Sequence, residues 1–263
     1  MSYLLLDEMK WQIVISADEI DKPDELLNQL HQQVLNRKIS VDEVKRALQE
    51  TKNGKAPGYD EIPAEIVRCG NMPYILCNLF NVCFDTGNIP AAWRKSIITP
   101  IPKPGNTIHN EPKHFRGITL ACTRYKVYCS VLNTRISTWA EETGILHDEQ
   151  NGFRKSRSCV DHLSTLTTIV ETRKSLNQQT FAAFIDFSKA YDTIDRKLWG
   201  KLEKYGLNGK IFNAVKGIYS SVECSVRVGG AYTDWFTINV GLKQGCISLA
   251  CSSICIWTTW SNI

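Results

Sequence analysis

The stretch TFAAFIDFSKAYDTIDR, residues 180–196, decides the fold. Its run FAAFI at 181–185 is apolar at both parities, the pattern of a strand covered on both faces. The run delivers Asp186 to its end, and a helical segment follows. An acid at the tip of a buried strand is costly unless a cation or metal pairs it, so the position reads as functional. The structural alternative is that Asp186 N-caps the following helix.

Around that stretch, 263 residues with 43% hydrophobic content suffice for one large domain or two small ones. The net charge of +4, from 31 basic and 27 acidic residues, suits a phosphate-rich partner and equally suits a solvated surface. The ten cysteines contain no C-x-x-C pair and no zinc-like spacing with the five histidines. They read as reduced, mostly buried thiols of an intracellular protein, with nucleus and cytoplasm not distinguished. The apolar run at residues 3–6 is too short for a signal peptide or a membrane span, so a soluble chain without a membrane partner is expected.

Residues 1–38 carry no motif and read as a leader of unknown role. Ser40 and Glu43 then form a capping box, with Ile39 placed to staple against Val44 and with Val44, Ala47 and Leu48 on one helical face. A helix beginning near Asn71 and Pro73 puts Ile75, Leu76, Leu79, Phe80 and Cys83 on one stripe, and Gly87 closes it. Residues 96–101 are β-branched but interrupted by Pro100, which suggests an edge strand. Residues 125–142 read as a long amphipathic helix with Val127, Tyr128, Val131, Leu132, Ile136 and Trp139 inside, and residues 160–170 as another helix. Leu198, Leu202 and Tyr205 mark a short helix, and Ile211, Phe212, Val215, Ile218 and Tyr219 a further one. Cys224, Val226 and Val228 alternate with Ser225 and Arg227, and Gly229-Gly230 turns the chain back as a half-buried hairpin.

The segment Asp186-Phe-Ser-Lys-Ala-Tyr-Asp192 resembles the first catalytic block of reverse transcriptases, with the signature D-F-x-K-A-[FY]-D, and is most similar to that of non-LTR, LINE-type, jockey-like retrotransposons. Matching blocks occur in the expected order: KNGKAPGYDEIPAEIV at 52–67, WRKSIITPIPKPG at 93–105, FRGITLACTRYKVY at 115–128, EQNGFRKSRSCVDHL at 149–163 and GLKQGC at 241–246. The resemblance spans about residues 39–247. It implies an α+β fold of right-hand polymerase type: fingers with their amino-terminal extension at 39–179 and a partial palm at 180–247, with the thumb missing.

The implied activity is RNA-templated DNA synthesis, with an RNA template, a DNA primer, deoxynucleoside triphosphates and two Mg2+ ions as partners. Such transfer needs carboxylates that hold two divalent ions against the attacking and leaving oxygens. By resemblance Asp186 is the first of these acids and a metal ligand, and the backbone carbonyl of Phe187 is a further ligand. Asp192, six residues past Asp186, reads as the start of the next helix. Tyr191 stands where the family places an aromatic that crowds the sugar 2′ position. Lys103 and Arg116 match basic positions that embrace the triphosphate, a task for which the Arg fork is suited. Gln244 and Gly245 belong to the block near the nucleotide. Arg154, Lys155 and Arg157 around Phe153 suit template contact, because phosphate contacts dominate affinity and aromatics stack on bases. Each of these charges also reads, taken alone, as an ordinary solvated residue.

The family requires a second acidic pair, a Tyr-x-Asp-Asp hairpin. No Asp or Glu follows Asp234, so the chain reads as a truncated and inactive copy, or as a non-catalytic nucleic-acid-binding remnant. Residues 248–263 read as an out-of-frame tail. In the frame that joins the last base of one codon to the first two of the next, Trp257 and Thr258 force GAC, an Asp codon. The neighbouring codons permit Tyr-Met before it and Asp-Leu after it, provided the frame shifts near Ile247.

Overall fold

The computed structural model describes residues 25–104, 111–184 and 199–242. Helices α1 (Glu25–Asn36), α2 (Val41–Glu50), α3 (Ala64–Val67), α4 (Met72–Thr86) and α5 (Ala91–Arg94) lead into strand β1 (Lys95–Pro102). A 3-10 turn at Pro112–His114 precedes β2 (Phe115–Ala121), and helices α6 (Thr123–Glu142) and α7 (Cys159–Ser175) follow. Helices α8 (Trp199–Lys204) and α9 (Lys210–Tyr219) lead to β3 (Val222–Val228), β4 (Ala231–Tyr232) and β5 (Phe236–Ile238). This mixed α and β content agrees with the fold class expected.

Helix α2 starts as its sequence dictates. Ser40 Oγ accepts from the Glu43 backbone N–H at 3.3 Å, and Glu43 Oε2 accepts from the Ser40 N–H at 2.9 Å. Val44, Ala47 and Leu48 are buried. Ile39, just ahead of the cap, is clasped by the Asn81 side chain, which accepts from its N–H at 2.8 Å and donates to its carbonyl at 2.9 Å. One amide side chain therefore locks the entry of α2 onto α4. The expected stripe of α4 is rotated: Leu76, Cys77, Phe80, Cys83 and Phe84 are buried, while Ile75 is 57% exposed. Phe84, one turn after Phe80, lies on this inner stripe, and the Arg135 guanidinium lies over its ring, 5.3 Å from the centroid.

Helix α6 is the centre of the molecule. All its expected inner residues are buried, and so are Tyr125, Cys129, Ser130, Arg135 and Ala140. A helix covered nearly all round shows little amphipathic contrast. Phe80 and Trp93 pack against Tyr128 of this helix with ring centroids 5.1–5.9 Å apart, the edge and tilted geometries that aromatic quadrupoles favour. Helix α9 buries each of its expected apolar residues. It also crosses the end of α4 so closely that a Cβ on Gly217 would lie 1.9 Å from the Gly87 carbonyl oxygen.

The sheet runs β2-β1-β3-β4, with β5 also paired to β3. Strand β1 is antiparallel to β2 and parallel to β3, so it is central and not the edge strand that Pro100 suggests. The proline is tolerated because the β1–β3 register ends at Ile98↔Val226, which leaves β1 one open side at Pro100. The β3 hairpin turns through Gly229 (φ 57°) and Gly230 (φ 86°), the left-handed pair of a tight return. Its register then shifts by one residue between Arg227↔Tyr232 and Cys224↔Phe236, as a bulge does.

The buried strand expected at 181–185 is not what the described part shows. Residues 180–184 form no strand, and Phe181 and Phe184 are 89% and 87% exposed. β1 already has β2 on one edge and β3 on the other, which leaves the 180–184 run without an inner edge to pair with.

Candidate nucleic-acid interface

The open end of the β1–β2 hairpin carries the first two cations. The ladder pairs Ile101 with Arg116 and Pro102 with Phe115, and the Lys103 N–H extends it by donating to the His114 carbonyl at 2.9 Å. Residues alternate between faces along a strand, so Ile101, Lys103 and Arg116 share one face of the sheet. Lys103 and Arg116 are exposed, and neither makes an ion pair or side-chain hydrogen bond with any described residue. Ile101 beside them is 48% exposed. Two uncompensated cations with apolar surface between them can accept a phosphate-bearing ligand without displacing an internal partner.

The loop before α7 is built differently. Arg154 grips Glu141 bidentately, Nε to Oε1 at 2.9 Å and Nη2 to Oε2 at 2.7 Å, and its Nη1 donates to the carbonyls of His147 at 2.8 Å and Gln150 at 3.3 Å. Its side chain is only 9% exposed. Hydrogen bonding to Arg154 holds the Glu141 carboxyl below its usual range. Arg154 therefore clamps the loop onto the end of α6, and its donors are occupied within the chain. Arg157 is more open, reaching Asn151 Oδ1 and Asp148 Oδ1 at 3.3 Å each. Lys155 is exposed, and Phe153, in the left-handed region at φ 64°, is 48% exposed. Thus Phe153 and Lys155 are the groups that the clamped loop presents outward. Sequence spacing could not reveal the clamp, because Glu141 belongs to the preceding helix.

The KAPGYD turn packs on the junction of β2 and α6. A Cβ on Gly58 would lie 2.5 Å from the Cys122 amide nitrogen, so only glycine fits. Asp60 pairs with Arg124 at 2.9 Å, and the Thr123 hydroxyl donates to the Ile62 carbonyl at 3.2 Å. Burial, with the Asp60 charge adding to it, pushes the Cys122 thiol up to about 11. The turn also presents Tyr59, whose ring meets Trp235 edge-on at 5.8 Å, and Trp235 in turn receives Lys95 Nζ at 4.8 Å.

A third cation, Arg227 of the β3 hairpin, belongs to the same sheet face as Lys103 and Arg116. The parallel register Lys95↔Glu223 to Ile98↔Val226 brings Arg227 beside Thr99, and Arg227 Nη2 donates to Thr99 Oγ1 at 3.5 Å. Alternation in the hairpin is legible in the sequence. The parallel pairing that joins it to β1 is not, because the two strands are far apart along the chain.

Asp186, Phe187, Tyr191, Asp192, Gln244 and Gly245 lie outside the described residues. Among the described residues, no three His, Cys, Asp or Glu side chains converge to hold a metal ion. No described helix is long and apolar enough to cross a membrane.

A family model for reverse transcriptase (RNA-dependent DNA polymerase) matches residues 101–256, more than half of the chain. The chain is 25% identical over 227 residues to the probable RNA-directed DNA polymerase from transposon BS of Drosophila melanogaster, covering 85% of this chain and 25% of the relative. It is 25% identical over 235 residues to that from transposon X-element of the same organism, covering 88% and 26%. It is 23% identical over 215 residues to the transposon TX1 uncharacterized 149 kDa protein of Xenopus laevis, covering 81% and 16%. The chain thus spans about a quarter or less of the length of these relatives. Similarity extends to the RNA-directed DNA polymerase of the mobile element jockey, at 23% identity over 211 residues. The chain belongs to the reverse transcriptase family, with its relatives among the polymerases of non-LTR transposons that include jockey.

Proposed function

We propose that the chain is the fingers and partial palm of a non-LTR reverse transcriptase, which holds an RNA template, a DNA primer and a deoxynucleoside triphosphate. The observation that carries this reading is the pair Lys103 and Arg116, exposed together on the sheet and without an acidic partner among the described residues, within a chain of this family. In the parent reaction the primer 3′-oxygen attacks the α-phosphorus, and the bond from that phosphorus to the bridging oxygen breaks, so that pyrophosphate leaves. Two magnesium ions, when bound, stabilise the attacking and leaving oxygens.

Asp186, with the Phe187 carbonyl, would hold part of that metal site. Tyr191 crowds the sugar, and Gln244 and Gly245 line the nucleotide. Arg157 and Lys155 contact the template, and Arg154 holds the loop that carries them. The second carboxylate pair is missing from these 263 residues. One carboxylate cannot fix two metals for in-line transfer, so this chain binds its substrates without joining them.

Binding of a labelled RNA–DNA primer–template, followed by fluorescence anisotropy across a salt series, tests the binding half. Affinity should fall steeply with salt, and Lys103→Ala with Arg116→Ala should reduce the slope of log K against log salt by about 1.4–1.8, one increment for each phosphate no longer neutralised. A salt-independent affinity, or one unmoved by the double substitution, overturns the reading.

A further inference from the structure

We infer that Arg227 and Tyr232 extend the Lys103–Arg116 face into a track for the backbone and bases of single-stranded nucleic acid. The inference rests on the nucleic-acid reading above, to which it adds two residues and a direction. β2 and β3 flank β1 on opposite edges. Arg116 stands opposite Ile101, and Arg227 stands beside Thr99. With strands about 4.8 Å apart and about 3.3 Å of rise per residue, the two Cα atoms are roughly 12 Å apart on one face.

The surface between and beside the cations suits bases. Ile101 is 48% exposed, and Tyr232 is 56% exposed. Tyr232 is the register partner of Arg227, so it shares the same face. Across that face the order is therefore cation, apolar side chain, cation and aromatic ring, a combination that holds phosphates and stacks bases without reading sequence. Among the described residues the Arg227 side chain makes a single hydrogen bond, to the Thr99 hydroxyl at 3.5 Å, and pairs with no carboxylate. The acid nearest to it on the same face of β3, Glu223, lies four residues back and pairs with Lys95 at 3.9 Å. The guanidinium is thus steadied by Thr99 while most of its donors remain available. A free triphosphate is the competing ligand, but the distance from Arg116 to Arg227 favours a polymer that spans both.

The test uses the full chain with a labelled 20-nucleotide oligo(U) and, separately, dATP as competitor. Arg227→Ala is expected to weaken oligo(U) binding about three- to ten-fold at low salt and to reduce the salt slope by about 0.7, the increment of one neutralised phosphate on a single strand. Tyr232→Ala should weaken binding about five-fold or more with the slope unchanged, as loss of stacking does. Arg227→Lys should retain the slope, and Arg227→Gln, a neutral polar side chain that suits a strand better than alanine, should behave as Arg227→Ala even if the alanine variant misfolds. Lys210→Ala, whose ammonium pairs with Asp85 at 2.6 Å on the helical layer, should change nothing. Wild-type binding with an unaltered slope in both Arg227→Ala and Arg227→Gln would overturn this inference alone. An effect confined to dATP would assign Arg227 to the nucleotide and overturn it too. Absence of any binding by the wild-type chain would overturn the parent reading with it.

Discussion

Arg135 sits in the middle of α6 at 7% exposure, where a charge survives only if every donor is answered. It pairs with Glu43 at 2.7 and 3.0 Å and donates to the carbonyls of Leu35, Arg37 and Lys38 at 2.7–3.0 Å, which fastens the α1–α2 connection to the core. Burial alone would raise the Glu43 carboxyl. The Arg135 hydrogen bonds and the Ser40 N–H outweigh it, so the group titrates at about 2 instead of 4.5. A depressed folded-state value contributes stability that is present above pH 4.5 and lost as pH falls toward 2. The urea midpoint should drop across that window by an amount equivalent to up to about 3 kcal/mol, and Glu43→Gln should flatten the drop. Arg135→Met should cost roughly 3 kcal/mol at neutral pH, because it leaves the buried Glu43 carboxylate with only Arg37, at 3.7 Å, as a charged partner among the described residues. Gly58→Ala should cost about 1–3 kcal/mol, since the new methyl would meet the rigid backbone of Ala121 and Cys122. Apart from the local Ser40–Glu43 bond, none of these contacts is legible in the sequence: each joins segments distant in the chain, and Arg135 there looks like one more charge on an amphipathic helix.

At the scale of elements, helices with local signals are readable and long-range pairings are not. The Ser40 box, the Gly87 stop at φ 68° and the apolar stripe of α9 are all local, and each stands as its residues suggest. The place of β1 at the sheet centre depends on β3, more than a hundred residues later, and Pro100 argues the wrong way. The apolar run at 181–184 argues for a buried strand, yet burial needs neighbours that no local pattern supplies. Helix α7 makes the same point. It has a capping box at Ser158 and Asp161, yet none of its residues is buried, and Val160 and Leu163 are 68% and 62% exposed. A helix held only by its own hydrogen bonds opens readily. Amides at 163–175 should therefore exchange on the order of a hundred-fold or more faster than those at 127–139 in α6, by hydrogen-exchange mass spectrometry. Comparable protection in the two helices would mean that α7 is covered in solution. Thiol alkylation gives the same contrast: Cys69 and Cys159 are exposed, whereas Cys83 and Cys122 are buried and held at about 11. The exposed pair should react first at neutral pH.

For the whole molecule, the sequence motifs carry the family, because a family signature survives where contacts cannot be read. No Asp or Glu follows Gly245 in these 263 residues. The frame hypothesis makes a definite demand on the gene: the third base of the Thr258 codon is G, which gives a second GAC directly after the one that Trp257 and Thr258 force. Any other base there counts against it. The reading of the protein itself is tested most directly by extension of a labelled DNA primer on an RNA template by the purified chain, with magnesium and all four deoxynucleotides. Primer–template should be bound in a salt-dependent way, and no primer should be lengthened above background. Magnesium-dependent extension that disappears with Asp186→Ala would contradict this reading, and would mean that another acid of this chain completes the site.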